Sequence, residues 1–411
     1  MKSDLNHLME INNLDALWIT GSGQHNPAMV YLTSGGHFNN ADLIIRRNAD
    51  PVLFCNPMER EEAARSGFTI RNLADYRPAE LLKEANGDPL LATVARYKLM
   101  FADLGLEQGR VGVYGQMDAG YAYAVMSGIQ QALPGLIFTS DLQGKVLLAA
   151  MATKDTTEVD RIRQMGQITT QVVGETADFL SRHAVHDEVL IKNDGAPLTI
   201  GEVKRQINLW LAERGAENPE GTIFAIGRDA GVPHSTGAAG DLLRLGQTIV
   251  FDIFPCEAGG GYFYDFTRTW CLGYAPDPAL ALYENVLSVY KQIMGELRLG
   301  AACSEYQVRT CELFEAQGHA TLRTDPLTQS GYVHSVGHGL GLHIHERPFM
   351  RLNGSEDDLL IPGVVVTVEP GLYYPEQGLG VRLEDTVVVR PDGGMEIPAP
   401  YPLDLIIPVG R

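Results

Sequence analysis

The sequence predicts an α+β protein made of two domains, the second of which is built on antiparallel strand pairs. The chain has 411 residues, which is too long for one compact core and suits two domains. A long helical pattern begins near residue 156, and paired strands follow from about residue 245. We therefore expect a smaller first domain over residues 1–152 and a larger second domain over residues 153–411.

The first domain is predicted to be a small mixed α/β unit. Its apolar residues come in short runs separated by turn residues, with a helical stretch at Met58–Arg65. This alternation is typical of a sheet covered by helices. The runs are Ala16–Ile19, Val30–Leu32, Leu43–Ile45, Val52–Phe54 and Val111–Val113.

The second domain is predicted to begin with an amphipathic helix. Apolar residues recur at helical spacing from Val159 to Leu180, and Asp155 or Thr156 is placed to cap the first turn. Strand patterns follow, and the sequence contains no solenoid repeat and no low-complexity segment. The predicted strands are Gln247–Phe254, Tyr262–Cys271, Val364–Glu369 and Val381–Val389.

Composition limits the partners of the chain. The formal net charge is −19, which argues against nucleic acid and anionic membrane as partners, because both require a basic surface. Residues 1–20 contain no apolar run of signal-peptide length, and no segment is long enough to span a bilayer. The five cysteines show no C-x-x-C spacing, so we expect reduced core residues in a cytoplasmic protein.

The segment Gly337–Glu346 alternates histidines with glycines. Neither a helix nor a buried strand favours this composition, whereas glycine lets the backbone and an imidazole approach a metal or substrate closely. A solvent-exposed turn with incidental histidines is the alternative interpretation. Acidic residues on two other segments make a site the better interpretation.

Two pairs of acidic residues are predicted to face each other on hairpins. A turn centred on Ala258–Gly259 would bring Asp252 opposite Asp265, and a turn near Glu376–Gln377 would bring Glu369 opposite Glu384. Buried carboxylates are costly unless they are paired or bind a cation. Either pair alone could be edge-strand acids in solvent, but two pairs beside His338 predict a shared metal site.

The donor set predicts the metal and its chemistry. Four carboxylates and one imidazole are mostly hard oxygen ligands, which suit Mn²⁺ or Co²⁺ and can also hold Zn²⁺. Four negative charges neutralise two divalent ions. A two-metal site that activates water for hydrolysis is the expected mechanism.

These residues resemble the creatinase/aminopeptidase P/prolidase superfamily of pita-bread metallopeptidases. The resemblance is carried by Asp252, by Asp265 in Asp-Phe-Thr-Arg-Thr, by His338 in Gly-His-Gly, by Glu369 in Val-Glu-Pro-Gly, and by Glu384 in Val-Arg-Leu-Glu-Asp-Thr. It implies a pita-bread catalytic domain after a creatinase-type N-terminal domain, and a homodimer. The gap between Asp252 and Asp265 is two residues longer than the usual family spacing; one extra residue on each strand would preserve the pairing.

The resemblance also implies roles for four further residues. His234 resembles the family histidine near the scissile carbonyl or leaving group, and His345 the one that assists the tetrahedral intermediate. His334 and Arg382 resemble substrate-side residues of the proline-specific branch. For Arg382, a salt bridge to Asp252 or Asp385 that orients a ligand is the alternative role.

Together these residues predict a dinuclear metallopeptidase that cleaves the Xaa-Pro bond of short peptides. An Xaa-Pro dipeptidase is favoured over an Xaa-Pro aminopeptidase (aminopeptidase P). His334, Arg382 and the first domain argue against a methionine aminopeptidase. The five ligand types argue against a non-catalytic pita-bread binding protein, which has no reason to keep four mutually repelling carboxylates.

Overall fold

The computed structural model describes residues 2–410. Its contacts divide the chain into two compact units. The first contains the described residues up to Met151 together with Gly259–Gly261, and the second contains Ala152–Ala258 and the described residues from Tyr262 onward. Among residues 2–410, no helix has both the length and the apolar character needed to cross a bilayer.

The first unit is a six-stranded mixed sheet with helices around it. The strand order is β4-β3-β2-β1-β5-β6, with β1–β2 and β2–β3 antiparallel and the other pairs parallel. The strands are β1 Ala16–Gly21, β2 Ala41–Arg46, β3 Val52–Cys55, β4 Thr69–Asn72, β5 Gly109–Gly115 and β6 Leu136–Thr139. The α-helices are α1 Leu5–Ile11, α2 Pro27–Thr33, α3 Arg60–Ala64, α4 Pro78–Glu84, α5 Pro89–Asp103, α6 Ala119–Ala132 and α7 Leu147–Met151.

The apolar run Val30–Leu32 lies in a helix, unlike the other four runs, which lie in strands. Asn26 caps α2 by accepting a hydrogen bond from the N–H of Met29, and Pro27 occupies the first turn. A capping side chain followed by proline starts a helix whatever the apolar pattern behind it. The core of this unit surrounds Trp18, whose indole Nε1–H donates to Asp42 at 2.8 Å.

The second unit begins with the predicted long helix and continues into several small sheets. The α-helices are α8 Thr156–Ser181, α9 Ile200–Glu213, α10 Asp277–Glu296 and α11 Cys303–Ala316. The first strands are β7 Ala184–His186, β8 Val189–Ile191, β9 Ala216–Glu217, β10 Thr222–Ile226, β11 Thr248–Ile253, β12 Cys256–Glu257 and β13 Phe266–Leu272. The later strands are β14 Gly337–Gly339, β15 Glu346–Met350, β16 Val365–Val368, β17 Gly371–Tyr374, β18 Leu379–Arg382, β19 Asp385–Val389, β20 Met395–Glu396 and β21 Ile406–Ile407.

Asp155 is the cap of α8. It accepts from the N–H of Glu158, whose carboxylate accepts from the N–H of Asp155 in return. This reciprocal capping box satisfies two N–H groups that the first turn leaves without a partner. Of the two capping residues that the sequence offered, the structure selects Asp155, because Thr156 is already helical.

Two sheets and a ribbon position the acidic residues. One sheet has the order β10-β11-β13-β21, another has the order β15-β14-β16-β19-β20, and β17 pairs with β18. An isolated antiparallel bridge between Thr267 and Glu384 joins the two acid-bearing regions. The predicted strand over 381–389 is broken at Leu383–Glu384, and the strand predicted from Tyr262 begins at Phe266.

The predicted register of the first acid pair is wrong by one residue on each strand. Asp252 pairs with Thr267, and the bridge from Cys256 to Phe263 continues the same register. The turn is therefore centred on Gly259–Gly260, whose φ angles are +89° and +77°. A type I′ hairpin turn needs positive φ at both central residues, and alanine at position 258 would disfavour that conformation. Asp252 and Asp265 are thus diagonal neighbours on one face.

The predicted register of the second acid pair is confirmed. Val368 pairs with Asp385 before the two acids, and Gly371 pairs with Arg382 after them. Both pairings belong to one register, and in that register Glu369 lies opposite Glu384.

Candidate metal centre

Five strands bring the five predicted ligands together. Asp252 lies near the end of β11, Asp265 directly precedes β13, and His338 is the middle residue of β14. Glu369 directly follows β16, and Glu384 directly precedes β19. Asp252 and His338 are paired within their ladders, opposite Thr267 and Phe349, and the bridge from Thr267 to Glu384 joins the two acid-bearing regions. All five line one cavity of about 520 Å³.

The potential ligand atoms of this cluster are close to one another. One atom from each of Asp265, His338 and Glu384 lies within 4.8 Å of the others. His338 Nε2 is 3.5 Å from Asp265 Oδ2 and 3.4 Å from Glu369 Oε1. These separations suit ligands that share a cation.

Three carboxylate oxygens in the cluster are buried without a hydrogen-bond partner in the described part of the chain. They are Asp252 Oδ1, Asp265 Oδ1 and Glu384 Oε1. Buried acceptors normally have partners, and a bound cation is one explanation when they do not. Burial, reinforced by the neighbouring carboxylates, raises the pKa of Asp265 and Glu384 well above the usual range. The donor set therefore fits hard divalent cations.

The imidazole of His338 is oriented as a ligand. Its Nδ1 is 3.1 Å from the carbonyl oxygen of Gly339, which can only accept, so Nδ1 carries the proton and Nε2 keeps its lone pair. Burial lowers the pKa of His338 to about 3. A neutral ring whose Nε2 faces carboxylates is the form that binds a metal.

The buried guanidinium of Arg382 contacts the cluster of predicted ligands through an ion pair and several hydrogen bonds. Its Nη2 forms an ion pair with Asp252 Oδ2, and its Nε donates to Thr267 Oγ1 at 3.2 Å. Its Nη1 donates to the Tyr373 hydroxyl at 2.7 Å and to the Pro233 carbonyl at 3.2 Å. Four of the five N–H groups of a guanidinium are thus used within the protein.

Both ring nitrogens of His334 are also used within the protein. Nδ1 is 2.7 Å from the carbonyl oxygen of Ser335, and Nε2 is 2.9 Å from the Tyr373 hydroxyl. Burial, followed by the charge of Arg382, lowers its pKa to about 3. His334 therefore presents a neutral ring to the cavity, and neither ring nitrogen is available for a hydrogen bond with a substrate.

The other two predicted histidines lie at the exposed side of the cavity. His234 and His345 both line it and are solvent-exposed. The ring of His345 meets that of His338 edge-on, with centroids 4.3 Å apart. Four apolar side chains also line the cavity: Ile223, Phe254, Ile344 and Phe349.

The sequence matches metallopeptidase family M24 over residues 160–391, more than half of the chain. That match and the ligand geometry decide the family. This chain belongs to metallopeptidase family M24. Use of a metal is implied by membership.

Similar proteins agree with this assignment. An Xaa-Pro dipeptidase of Pyrococcus furiosus is 32% identical over 198 residues, which is 48% of this chain and 52% of that protein. The chain thus matches about half the length of that relative. A dipeptidase structure from Pyrococcus horikoshii aligns with a TM-score of 0.75 at 23% identity, covering 98% of this chain and 99% of that one. An X-Pro aminopeptidase structure from Thermotoga maritima aligns with a TM-score of 0.72 at 21% identity, covering 96% and 98%.

The structural matches confirm the predicted α+β pita-bread fold over nearly the whole chain. Because dipeptidase and aminopeptidase structures share it, the fold does not distinguish the two activities. That distinction depends on the residues that line the cavity of this M24 chain.

Sequence reasoning missed three residues of the M24 site. Thr267 donates to Glu384 Oε2 at 2.7 Å, and Tyr373 joins Arg382 to His334. Arg351 lines the cavity, with its guanidinium 4.1 Å from the centroid of the Phe349 ring. Thr267 could have been found, since it alternates with Asp265 along one strand face. Tyr373 and Arg351 give no such signal.

Proposed function

We propose that this chain is an Xaa-Pro dipeptidase that uses two divalent metal ions. The observation that carries the proposal is the convergence of Asp252, Asp265, His338, Glu369 and Glu384 in one cavity. The relative named Xaa-Pro dipeptidase supports the substrate class, although the match spans only about half of that protein.

The five clustered residues would hold the metal ions. Mn²⁺ is the proposed metal, with Co²⁺ and Zn²⁺ as alternatives, because four of the five donors are carboxylates. When bound, the ions would supply an activated water and electrophilic assistance for amide hydrolysis. The partnerless oxygens of Asp252, Asp265 and Glu384 support this assignment.

Glu369 is the proposed general base. Burial, with the Asp252 charge adding and the Arg382 charge opposing, raises its pKa to about 8. Nearby cations lower a carboxylate pKa, so the loaded site would hold Glu369 ready to accept a proton at neutral pH. The exposed rings of His345 and His234 would stabilise the oxyanion and the departing proline nitrogen.

The contacts of Arg382 favour its orienting role over direct substrate binding. Its guanidinium has one N–H group left, and its ion pair fixes the Asp252 carboxylate. His334 would act as a rigid wall against the substrate, because its ring nitrogens are engaged.

Arg351 is the better candidate for the substrate carboxylate. Within the described residues, no carboxylate lies within 4 Å of its guanidinium, and it rests on the Phe349 ring at the cavity wall. Proline has no amide hydrogen, so an apolar wall suits its ring and only its carboxylate needs a polar partner. A planar guanidinium matches a carboxylate. The carboxylate of a dipeptide follows the scissile bond directly, which favours a dipeptidase.

Aminopeptidase P is the second candidate. The observation that favours it is the exposed rim of the cavity, where His234, His345 and Glu220 meet solvent. An open rim can accommodate a peptide that continues beyond proline.

The deciding experiment compares Met-Pro, Met-Pro-Ala and Met-Ala as substrates of the protein loaded with Mn²⁺. We expect a higher kcat/KM for Met-Pro than for Met-Pro-Ala, and negligible cleavage of Met-Ala. Faster cleavage of Met-Pro-Ala would replace the dipeptidase by aminopeptidase P. Cleavage of Met-Ala alone would indicate a methionine aminopeptidase, and no cleavage with full metal content would indicate a binding protein.

We further propose residues 1–152 as the creatinase-type domain and 153–411 as the catalytic domain of a cytoplasmic homodimer. The division of contacts after Met151 and the family match from residue 160 support this boundary. All five cysteines are free and buried, as expected in a reducing compartment.

A further inference from the structure

A buried ion pair lies behind the histidine segment of the site. Lys154 Nζ contacts Glu346 Oε1, and the two side chains are 2% and 0% exposed. Neither residue lines the cavity that holds the metal ligands. Removing two charges from water is costly, and replacing a buried ion pair with apolar residues of similar volume is often neutral or stabilising. Stability by itself is therefore a weak explanation for the pair.

The carboxylate of Glu346 organises the preceding turn. Its Oε2 accepts from the N–H of His343 at 3.4 Å. Gly341 packs so tightly against the same carboxylate that a Cβ there would clash. The carbonyl of Gly341 in turn accepts from the N–H of Phe263 at 2.8 Å. The segment 341–346 is thus folded around a buried negative charge.

Lys154 supplies the fixed positive charge. Its backbone N–H donates to the carbonyl of Gly363 at 2.8 Å, and the adjacent Thr153 bridges to Val364. The next residue, Asp155, caps α8. The ammonium therefore extends from a backbone that is held on one side by the bridge to Val364 and on the other by the start of α8.

His345 is the side chain that this arrangement presents to the cavity. It directly precedes Glu346, the first residue of β15, and its ring lies edge-on to His338. His345 itself is solvent-exposed, and its ring contact in the described part of the chain is with His338. Its position depends on the backbone on which Glu346 acts.

We propose that Lys154 and Glu346 are positioning residues that hold His345 in its working place beside the metal ligands. The proposal rests on the proposed peptidase function where it concerns turnover. Since misplacing a catalytic group by about 1 Å costs roughly 10²-fold, loss of the pair should lower kcat and leave KM nearly unchanged.

The test uses the double variant Lys154→Met/Glu346→Gln, which removes both charges and so avoids leaving one buried charge unpaired. Arg163→Met/Glu396→Gln is the matched control, because it removes another ion pair of the same unit that does not touch segment 341–346. For the first variant we expect a folded protein whose kcat falls by about tenfold to 10²-fold. The control should keep its kcat.

Two further measurements separate positioning from general support. In a His345→Ala background the double change should cause no additional loss of kcat, because both act through the same ring. Hydrogen exchange of the metal-loaded protein should accelerate at residues 341–346 and not elsewhere in the second unit.

The proposal would be overturned if the Lys154→Met/Glu346→Gln change lowered kcat by the same factor in the His345→Ala background as in the wild type. An unchanged kcat in the folded double variant would also overturn it. If the wild type cleaves no Xaa-Pro peptide, the proposed function fails by itself. Hydrogen exchange then decides the positioning role: acceleration restricted to 341–346 supports it, and unchanged exchange refutes it.

Discussion

Replacing Arg382 with lysine keeps the buried positive charge but removes the hydrogen bonds that the guanidinium donates through Nε and Nη1. Arg382 is 3% exposed, so water cannot substitute for the lost donors. The lysine ammonium can retain the ion pair with Asp252. From that position it cannot also reach Thr267, Tyr373 and Pro233, which the guanidinium contacts through Nε and Nη1.

The expected loss follows from those three contacts. A typical intramolecular hydrogen bond contributes about 1 kcal/mol, so their removal costs about 3 kcal/mol if all are needed for the active geometry. At about 1.4 kcal/mol per decade of rate, this corresponds to roughly a 10²-fold loss of kcat. An orienting role affects every substrate alike, so Met-Pro and Met-Pro-Ala should lose the same factor with little change in KM.

Steady-state kinetics on both substrates, at saturating Mn²⁺ and with metal content measured in parallel, test this reasoning. Arg351→Gln is the contrasting variant, because that arginine lines the same cavity without contacting a predicted metal ligand and is expected to change KM for Met-Pro and not kcat. The reasoning is refuted if Arg382→Lys raises KM for Met-Pro far more than for Met-Pro-Ala while kcat holds. Arg382 would then bind the substrate carboxylate itself.

Four further outcomes are expected. Arg351→Gln should raise KM for Met-Pro about tenfold or more and leave Met-Pro-Ala nearly unchanged; equal changes for both peptides would remove Arg351 from carboxylate recognition. Asp265→Ala should lose at least one metal ion by elemental analysis together with nearly all activity, and full occupancy in that variant contradicts the ligand assignment. Glu369→Gln should keep most of the metal but lose turnover by roughly 10²-fold or more; undiminished turnover would move the base elsewhere. Asp155→Ala should lower the free energy of unfolding of the second unit by about 1 kcal/mol in urea titrations, whereas an unchanged midpoint would show that the cap contributes nothing.

The ligand strands could be predicted because their chemistry conflicts with their surroundings. Asp252 interrupts an apolar strand, and a carboxylate in that position signals a cation or a buried partner. The pairing of Glu369 with Glu384 could be predicted from their distances to the turn, because a regular hairpin keeps the same register along its whole length. The predicted register of the Asp252–Asp265 hairpin is wrong by one residue on each strand. The position of its turn depends on the backbone φ angles of Gly259 and Gly260, which the sequence pattern does not show.

The contacts that organise the site could not be predicted in the same way. Tyr373 joins His334 to Arg382, and Lys154 meets Glu346 across 192 positions of sequence. Nothing in the local pattern around Tyr373 or Lys154 differs from that of an ordinary core tyrosine or surface lysine. Only packing brings these groups together and removes the water that would otherwise satisfy them.

The sequence by itself indicated the α+β class, the five clustered residues proposed as metal ligands and the long capped helix, because periodicity, capping and charges within apolar strands are local properties of the chain. The tertiary structure decided which hydrogen-bond donors are already used. Arg382 and His334 look like substrate contacts in sequence, but buried partners engage their nitrogens. Arg351, which no motif marks, keeps its guanidinium at the cavity wall. Whether a polar group is available to a substrate depends on its partners, and those partners come from distant parts of the chain.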